Sequence, residues 1–138
     1  MRVDRLTTKS QEALREAVSL ASRYGNPELQ PEHLLAALLS QEGGVTAPLL
    51  QKAGTEVTQL RRALEQRTQG FPRVSGGAEP SVSRRTLEVF RRAEDEMNAL
   101  RDSYISAEHF LLGMAKGDKE VGELFRANGG ITPDALLS

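Results

Sequence analysis

Leu29-Gln30-Pro31-Glu32-His33-Leu34-Leu35-Ala36-Ala37-Leu38-Leu39 returns later in the chain as Ile105-Ser106-Ala107-Glu108-His109-Phe110-Leu111-Leu112-Gly113-Met114-Ala115. The offset is constant, since 105 less 29 and 109 less 33 both give 76. Apolar residues fall on apolar residues at both ends, and the Glu-His pair recurs in register. Self-similarity at one fixed spacing means one supersecondary unit used twice. The offset is longer than the period of a stacked solenoid, so the expected arrangement is two half-domains closing on each other.

Both copies carry the marks of a helix start. Pro31 suits the first helical position, where its missing N–H would have been unpaired anyway. Ser106 supplies a capping hydroxyl at the position before, and Gln30 is the poorer substitute in the first copy. Leu29 with Leu34, and Ile105 with Phe110, have the spacing of a hydrophobic staple. Glu32 and Glu108 fall in the first turn, where the helix dipole favours negative charge.

Working outward, Thr7 should open a first helix with Ala13, Leu14, Ala17, Val18, Leu20 and Ala21 at helical spacing, stopped by Tyr24-Gly25-Asn26-Pro27. The opening stretch is the second helix and ends at Gly43-Gly44. A short third helix carries Val45, Leu49 and Leu50 up to Gly54, and a fourth begins near Thr55 with Val57, Leu60, Ala63 and Leu64. Residues 69–81, Gln69-Gly70-Phe71-Pro72-Arg73-Val74-Ser75-Gly76-Gly77-Ala78-Glu79-Pro80-Ser81, have the composition of a linker. The order then repeats from Val82-Ser83. Leu87, Phe90, Ala93, Met97 and Leu100 form the expected buried stripe of helix five. Helix six echoes helix two, and Val121, Leu124 and Phe125 mark a seventh. Thr132-Pro133-Asp134 opens an eighth that runs to Ser138. No stretch alternates with β-branched residues, so essentially no sheet is expected. The fold class is all-α, about eight helices in two pseudo-twofold-related four-helix repeats, 1–68 and 82–138, within a single domain 1–138.

Eighteen basic and nineteen acidic residues leave a net charge of −1. That offers no electrostatic footprint for nucleic acid and no basic face for anionic lipid. With no cysteine there is no disulfide, thiol nucleophile or thiolate metal site. Met1-Arg2-Val3-Asp4-Arg5 leads into a polar helix without a signal-peptide core. The longest apolar run, Leu34 to Leu39, is far below the ~20 residues that span a bilayer. A soluble cytoplasmic protein is expected, with no nucleic-acid or membrane partner.

The chemistry-bearing motifs are absent or incomplete. Gly113-Met114-Ala115-Lys116-Gly117 lacks the Gly-Lys-Ser/Thr ending of a phosphate loop. Neither histidine belongs to a His-Glu-x-x-His pair, so no two ligands share a helical face by that route. A metal site from Glu32, His33, Glu108 and His109 requires the halves to face each other; first-turn histidines are more often solvated or hydrogen-bonded locally. No serine sits in a nucleophile elbow. Arg84-Arg85 with Arg91-Arg92 reads as a solvated face balanced by Glu88, Glu94 and Glu96. Catalysis by this chain is not expected.

Several segments together resemble a known family: Met1-Arg2-Val3-Asp4-Arg5-Leu6-Thr7, Glu32-His33-Leu34-Leu35, Gln41-Glu42-Gly43-Gly44, Pro48-Leu49-Leu50, Phe71-Pro72-Arg73-Val74-Ser75-Gly76 and Tyr104-Ile105-Ser106-Ala107-Glu108. In order and spacing they are similar to the amino-terminal (Clp repeat) domain of the Clp/Hsp100 family, above all its bacterial disaggregase branch. The resemblance implies a pseudo-twofold domain tethered to a homohexameric AAA+ ring. It also implies contact with unfolded or aggregated polypeptide, which the ring then threads. Nucleotide sites, with their ATP and Mg, would belong to the ring, so no cofactor is expected here. The implied substrate groove lies between the repeats. Its polar members correspond to Thr7, Asp102 and Glu108, and its apolar lining to Arg92, Glu96 and His109, where the family commonly has leucine-like residues. These polar replacements should weaken the apolar contribution of about 25 cal/mol per Å² and bias the groove toward charged peptides. Thr7 and Glu108 are equally explained as a helix cap and a first-turn dipole partner. Two functions follow as alternatives: recruitment of unfolded polypeptide, or docking of a folded adaptor whose charge complements the groove.

Overall fold

The computed structural model describes residues 3–137. Met1, Arg2 and Ser138, which belong to the segments quoted above, lie outside the described residues. After a 3-10 turn at Val3–Arg5 come α1 (Thr8–Arg23), β1 (Glu28–Leu29), α2 (Pro31–Ser40), α3 (Thr46–Lys52) and α4 (Val57–Gln69). The second half holds β2 (Ser81–Val82), α5 (Arg84–Ala99), α6 (Ala107–Gly117), α7 (Lys119–Ala127) and α8 (Pro133–Leu137). The eight-helix all-α class stands.

The duplication is visible in the hydrogen bonds. Thr7 and Ser83, 76 positions apart, cap α1 and α5, each accepting the backbone N–H three residues on, Ser10 and Thr86. The Ser10 hydroxyl donates to the Ile105 carbonyl at 2.9 Å, and the Thr86 hydroxyl to the Leu29 carbonyl at 2.7 Å. Thr7 N–H reaches Ile105 O at 3.1 Å, and Ser83 N–H reaches Leu29 O at 3.2 Å. When residue i of one half bonds j of the other and the equivalents do the same in reverse, the halves are related by a local dyad. The seam is therefore made of the two helix-start stretches, each bonded to the opposite repeat.

Several expectations need refinement. Leu29 pairs in parallel with Val82, and Leu6 bridges Ile105 in the same sense. These two-residue strands are too short to show alternation, and they arise because the seam aligns extended segments ahead of α2, α5 and α6. The linker is shorter at both ends than 69–81, since Gln69 ends α4 and Ser81 opens β2. Likewise α4 starts at Val57, not Thr55.

The core is continuous across the seam. Leu34, Leu35, Leu38, Phe110, Leu111 and Leu112 of the repeated stretches are all 2 % exposed or less. Each contributes about 1.5–3 kcal/mol by leaving water. Phe90 meets Phe110 edge to face at 5.0 Å. Gly113 lets α5 and α6 approach closely, because a Cβ there would lie 3.1 Å from the Ala93 nitrogen and 3.3 Å from the Val89 carbonyl. Leu87 and Leu100, expected in the stripe of α5, are instead 47 % and 38 % exposed. The stripe runs Thr86, Val89, Phe90, Ala93, Met97; Leu87 sits a sixth of a turn or more off it, and Leu100 lies past the last helical residue.

Candidate functional site

The two Glu-His pairs occupy equivalent places at the seam and are structural before they are anything else. Gln30 N–H donates to His33 Nδ1 at 2.9 Å, and Ser106 N–H donates to His109 Nδ1 at 2.9 Å. Histidine thus does what Glu or Gln does at the third position of a capping box, reaching back to the cap N–H. Accepting at Nδ1 leaves the proton on Nε2. His33 Nε2 then meets Asn26 Oδ1 at 2.9 Å, and His109 Nε2 meets Asp102 Oδ2 at 2.8 Å. Both rings are buried, so of the two expected settings, solvated or hydrogen-bonded locally, the histidines take the second. Burial pushes the His33 pKa down to about 4, which keeps it in the neutral form that the cap needs.

This geometry bears on metal binding. Asp102, Glu108 and His109 each bring one ligand atom to within 4.8 Å of the others. A metal on His109 Nε2 would have to replace the proton given to Asp102, while Nδ1 already accepts from Ser106. A ligating histidine needs its second nitrogen as a donor to an outer-shell acceptor, so this ring is wrongly set for the role. The four-residue site from Glu32, His33, Glu108 and His109 is not assembled either, because each histidine turns to its own residue 26 or 102.

Beside Glu108 the seam opens into a cleft of about 120 Å³, lined among others by Thr7, Lys9, Leu38, Gln41, Val45 and Glu108. Its floor is the α1 cap, and its wall is the loop 41–45, held where Gln41 Nε2 donates to the Lys9 carbonyl at 2.8 Å. Glu108 is half-buried, and Val45 is 54 % exposed at the lip. Thr7 and Glu108 therefore share one cleft, with Asp102 and His109 next to Glu108. Arg92 and Glu96 line no part of it. Arg92 pairs with Glu88 at 3.1 Å and lies over Gly117, and Glu96 accepts from Lys116 Nζ at 2.8 Å. His109, at 1 % exposure, has no ring face to offer a ligand.

The dyad-related place, at Glu32, is built differently, and the sequence marked Glu32 only as a first-turn acid and a candidate metal ligand, not as part of an ion-pair network. Glu32, in the first turn of α2 as expected, is fully buried. Its carboxylate lies 3.2 Å from Arg67 Nε and 3.1 Å from Arg85 Nη1. Arg85 also binds Asp118 at 2.7 Å and Glu120 at 2.8 Å, and Arg67 binds Glu120 at 3.0 Å. Burial alone would lower the Arg85 pKa; its hydrogen bonds to the Asp118 carboxylate and the field of Glu32 outweigh it and hold the guanidinium above its ordinary value. The Arg84-Arg85 pair is thus not one solvated face, since only Arg84 is exposed. The available signal was a glutamate kept in both repeats beside arginines on only one side.

A third depression, of about 320 Å³, lies between α1, α2 and α4 and is lined by Leu20, Tyr24, Leu39, Arg61 and Leu64 among others. No helix among the described residues is long and apolar enough to cross a membrane.

Comparison with known proteins places this architecture. Residues 5–128 match the family described as the Clp repeat (R) N-terminal domain. A chaperone protein ClpB of Mycobacterium tuberculosis is 40 % identical over 131 residues, covering 94 % of this chain and 15 % of the relative. ClpB of Bdellovibrio bacteriovorus is 40 % identical over 125 residues, 89 % of this chain and 15 % of the relative. The chain thus spans about 15 % of the length of the curated relatives it matches. Among solved structures, the Hsp104 N-terminal domain of Candida albicans superposes with a TM-score of 0.81 at 23 % identity, covering 95 % of this chain and 85 % of that one. A complex of the ClpV N-domain with a VipB peptide gives 0.80 at 24 % identity, over 97 % and 83 %. With both repeats, the seam between them and nearly the whole length matched, the chain belongs to the family of Clp repeat N-terminal domains.

Proposed function

We propose that this domain recruits polypeptide for a ClpB-type AAA+ disaggregase, binding unfolded or aggregated chains at the seam beside Glu108 and passing them to the ring. The observation that carries the reading is the inequality of the two dyad-related places. One is filled by the chain's own arginines, and the other is an open cleft with a carboxylate that has no partner among the described residues and an exposed apolar lip. The similarity to ClpB chaperones supports it. In this reading the domain performs no chemistry and takes no cofactor; ATP and Mg would be bound by the ring, in the cytoplasm.

The shallow cleft sets the affinity: little apolar area leaves water, and ordering a flexible client opposes binding, so Kd should be micromolar or weaker. Fluorescence anisotropy with a labelled, permanently unfolded protein should give saturable binding, and the same protein in its native form none. No response to the unfolded form up to about millimolar domain would remove the reading.

Docking of a specific partner is the second reading. It is favoured by the charged pairs Arg92–Glu88 and Glu96–Lys116 where apolar lining was expected, and by the solved neighbour in which a ClpV N-domain holds a VipB peptide. Capture from lysate separates the two, one stoichiometric folded protein supporting docking and many partly unfolded clients supporting recruitment.

A further inference from the structure

The depression between α1, α2 and α4 is lined by first-repeat residues alone and shares none with the cleft at Glu108. There α1 and α4 each pack on α2, but between them they leave a trough over the face that carries Ala36 and Ser40. Ala36 and Ser40 stand about one helical turn apart, and side chains this small allow a further helix to come close. The uncharged polar groups of the trough are already engaged. Ser40 Oγ donates to the Ala36 carbonyl at 2.9 Å and Thr68 Oγ1 to the Glu65 carbonyl at 3.0 Å. Both His33 nitrogens are bonded, one to Gln30 and the other to Asn26. What stays open is an apolar surface formed by Leu20, Leu39 and Leu64, with Tyr24 at the lip, 37 % exposed, and two charges on the α4 wall. Arg61 and Glu65 are four residues apart, with the arginine N-terminal, the less favourable order for a pair on one helix, and they do not pair with each other. Arg61 Nη2 donates instead to the Leu39 carbonyl at 3.0 Å near the end of α2, and Arg61 forms no ion pair among the described residues. The Glu65 carboxylate receives only Gln69 Nε2, at 3.5 Å.

We propose that this trough docks one helix of a partner protein, laid over Ala36 and Ser40, with an acidic residue against Arg61 and a basic residue four positions away against Glu65. An extended segment would bring unpaired backbone N–H and C=O groups into a trough whose hydroxyls and imidazole are already bonded, and leaving such groups unpaired is costly. A helix bonds its backbone internally and presents only side chains. Two of its residues four apart have the same spacing as Arg61 and Glu65, about 6 Å along the axis, so one helix can answer both charges. Apolar side chains one turn apart on the same helix enter the space of about 320 Å³ above Leu20, Leu39 and Leu64, as in other helix-in-groove complexes. The apolar contact supplies affinity, and the two unpaired charges set which way the helix lies. The trough is separate from the seam, so this docking site stands whether or not unfolded chains bind beside Glu108.

The test uses two fluorescent, hydrocarbon-stapled helical peptides with leucines one turn apart and a glutamate and a lysine four residues apart, in one order and in the reverse. Stapling keeps their helicity equal, so only the order of charge differs. Anisotropy titration at low salt should show the wild-type domain binding one order at least about fivefold tighter, because reversal turns two rim attractions into repulsions. The charge-swapped domain, Arg61→Glu with Glu65→Arg, should prefer the other order by a similar factor. Ala36→Phe fills the trough from the domain's own side. It should weaken the preferred peptide at least about tenfold, while the far-UV spectrum and the binding of unfolded protein stay unchanged. Equal binding of both orders by the wild-type domain, the same preference in the charge-swapped domain, or affinity untouched by Ala36→Phe overturns the inference. So does the absence of binding by either peptide up to about millimolar domain.

Discussion

Arg85→Ala is the perturbation that probes the filled place at Glu32 most directly. It removes a guanidinium that lies 3.1 Å from a fully buried Glu32 and 2.7 Å from Asp118. Removing one partner of a buried ion pair costs about 3–5 kcal/mol, because the surviving charge stays desolvated. Here Arg67 remains 3.2 Å from Glu32, and Asp118 still accepts the Val121 N–H at the start of α7, so the lower end, about 3 kcal/mol, is expected. For a domain of this size that is a fall in Tm of roughly 10 °C. Urea unfolding followed by circular dichroism at neutral pH gives the free energy. Glu32→Gln provides the second leg of a double-mutant cycle, in which Arg85→Ala should cost much less once the buried charge is gone. A loss below about 1 kcal/mol, the range of a surface pair, or an equal loss in both backgrounds, would refute the buried-charge account.

Three further outcomes follow from the same geometry. Arg101 holds φ 59, where its equivalent is Gly25 at φ 69; Arg101→Gly relieves the left-handed strain, offset by chain entropy, and should raise stability by up to about 1 kcal/mol in the same urea assay. Gly113→Val drives a branched side chain into the Ala93 and Val89 backbone, and should lower stability by about 1–3 kcal/mol or more, read as a drop in Tm. The His33 ring, with its pKa lowered to about 4 by burial, should stay neutral in NMR titrations through the range where an exposed histidine gains its proton. Because the unfolded chain binds that proton first, its contribution to stability is full above about pH 6.5 and is lost as pH falls toward 4. A His33 resonance titrating near 6.5 would contradict this.

The repeat was legible because helix starts are local: a proline, a cap and a staple report on themselves, and copying them 76 residues on makes the pattern unmistakable. The sides of the seam were not legible, because burial of a first-turn glutamate depends on what another helix brings to it. Glu32 and Glu108 are each followed by a histidine and an apolar run, yet one is sealed by Arg67 and Arg85 and the other lines a cleft. Which of the two expected settings the histidines take, solvated or locally hydrogen-bonded, was open for a similar reason. Their spacing to Gln30 and Ser106 is that of a capping box, but the pattern is familiar with Glu or Gln at the third position. Leu87 shows the remaining limit, since an apolar residue on an otherwise correct helix still needs the phase of the stripe, which Thr86 sets by bonding Leu29 across the seam.

A duplicated fold begins with two equivalent seats, and a carboxylate in either one is costly unless something compensates its charge. The lengths of two connections decide how each was resolved. Between α6 and α7 stands the single residue Asp118, which brings α7 against Glu32 and holds Arg85 there. Between α2 and α3 run five residues, 41–45, including Gly43 at φ 66, and this loop stands off to form the wall of the open cleft. The short connection makes the first seat part of the structure, its charge paired from within. The long one leaves Glu108 half in solvent, where water can stabilise its charge. The loop that separates the copies is thus what seals one glutamate into the fold and leaves its twin open to solvent.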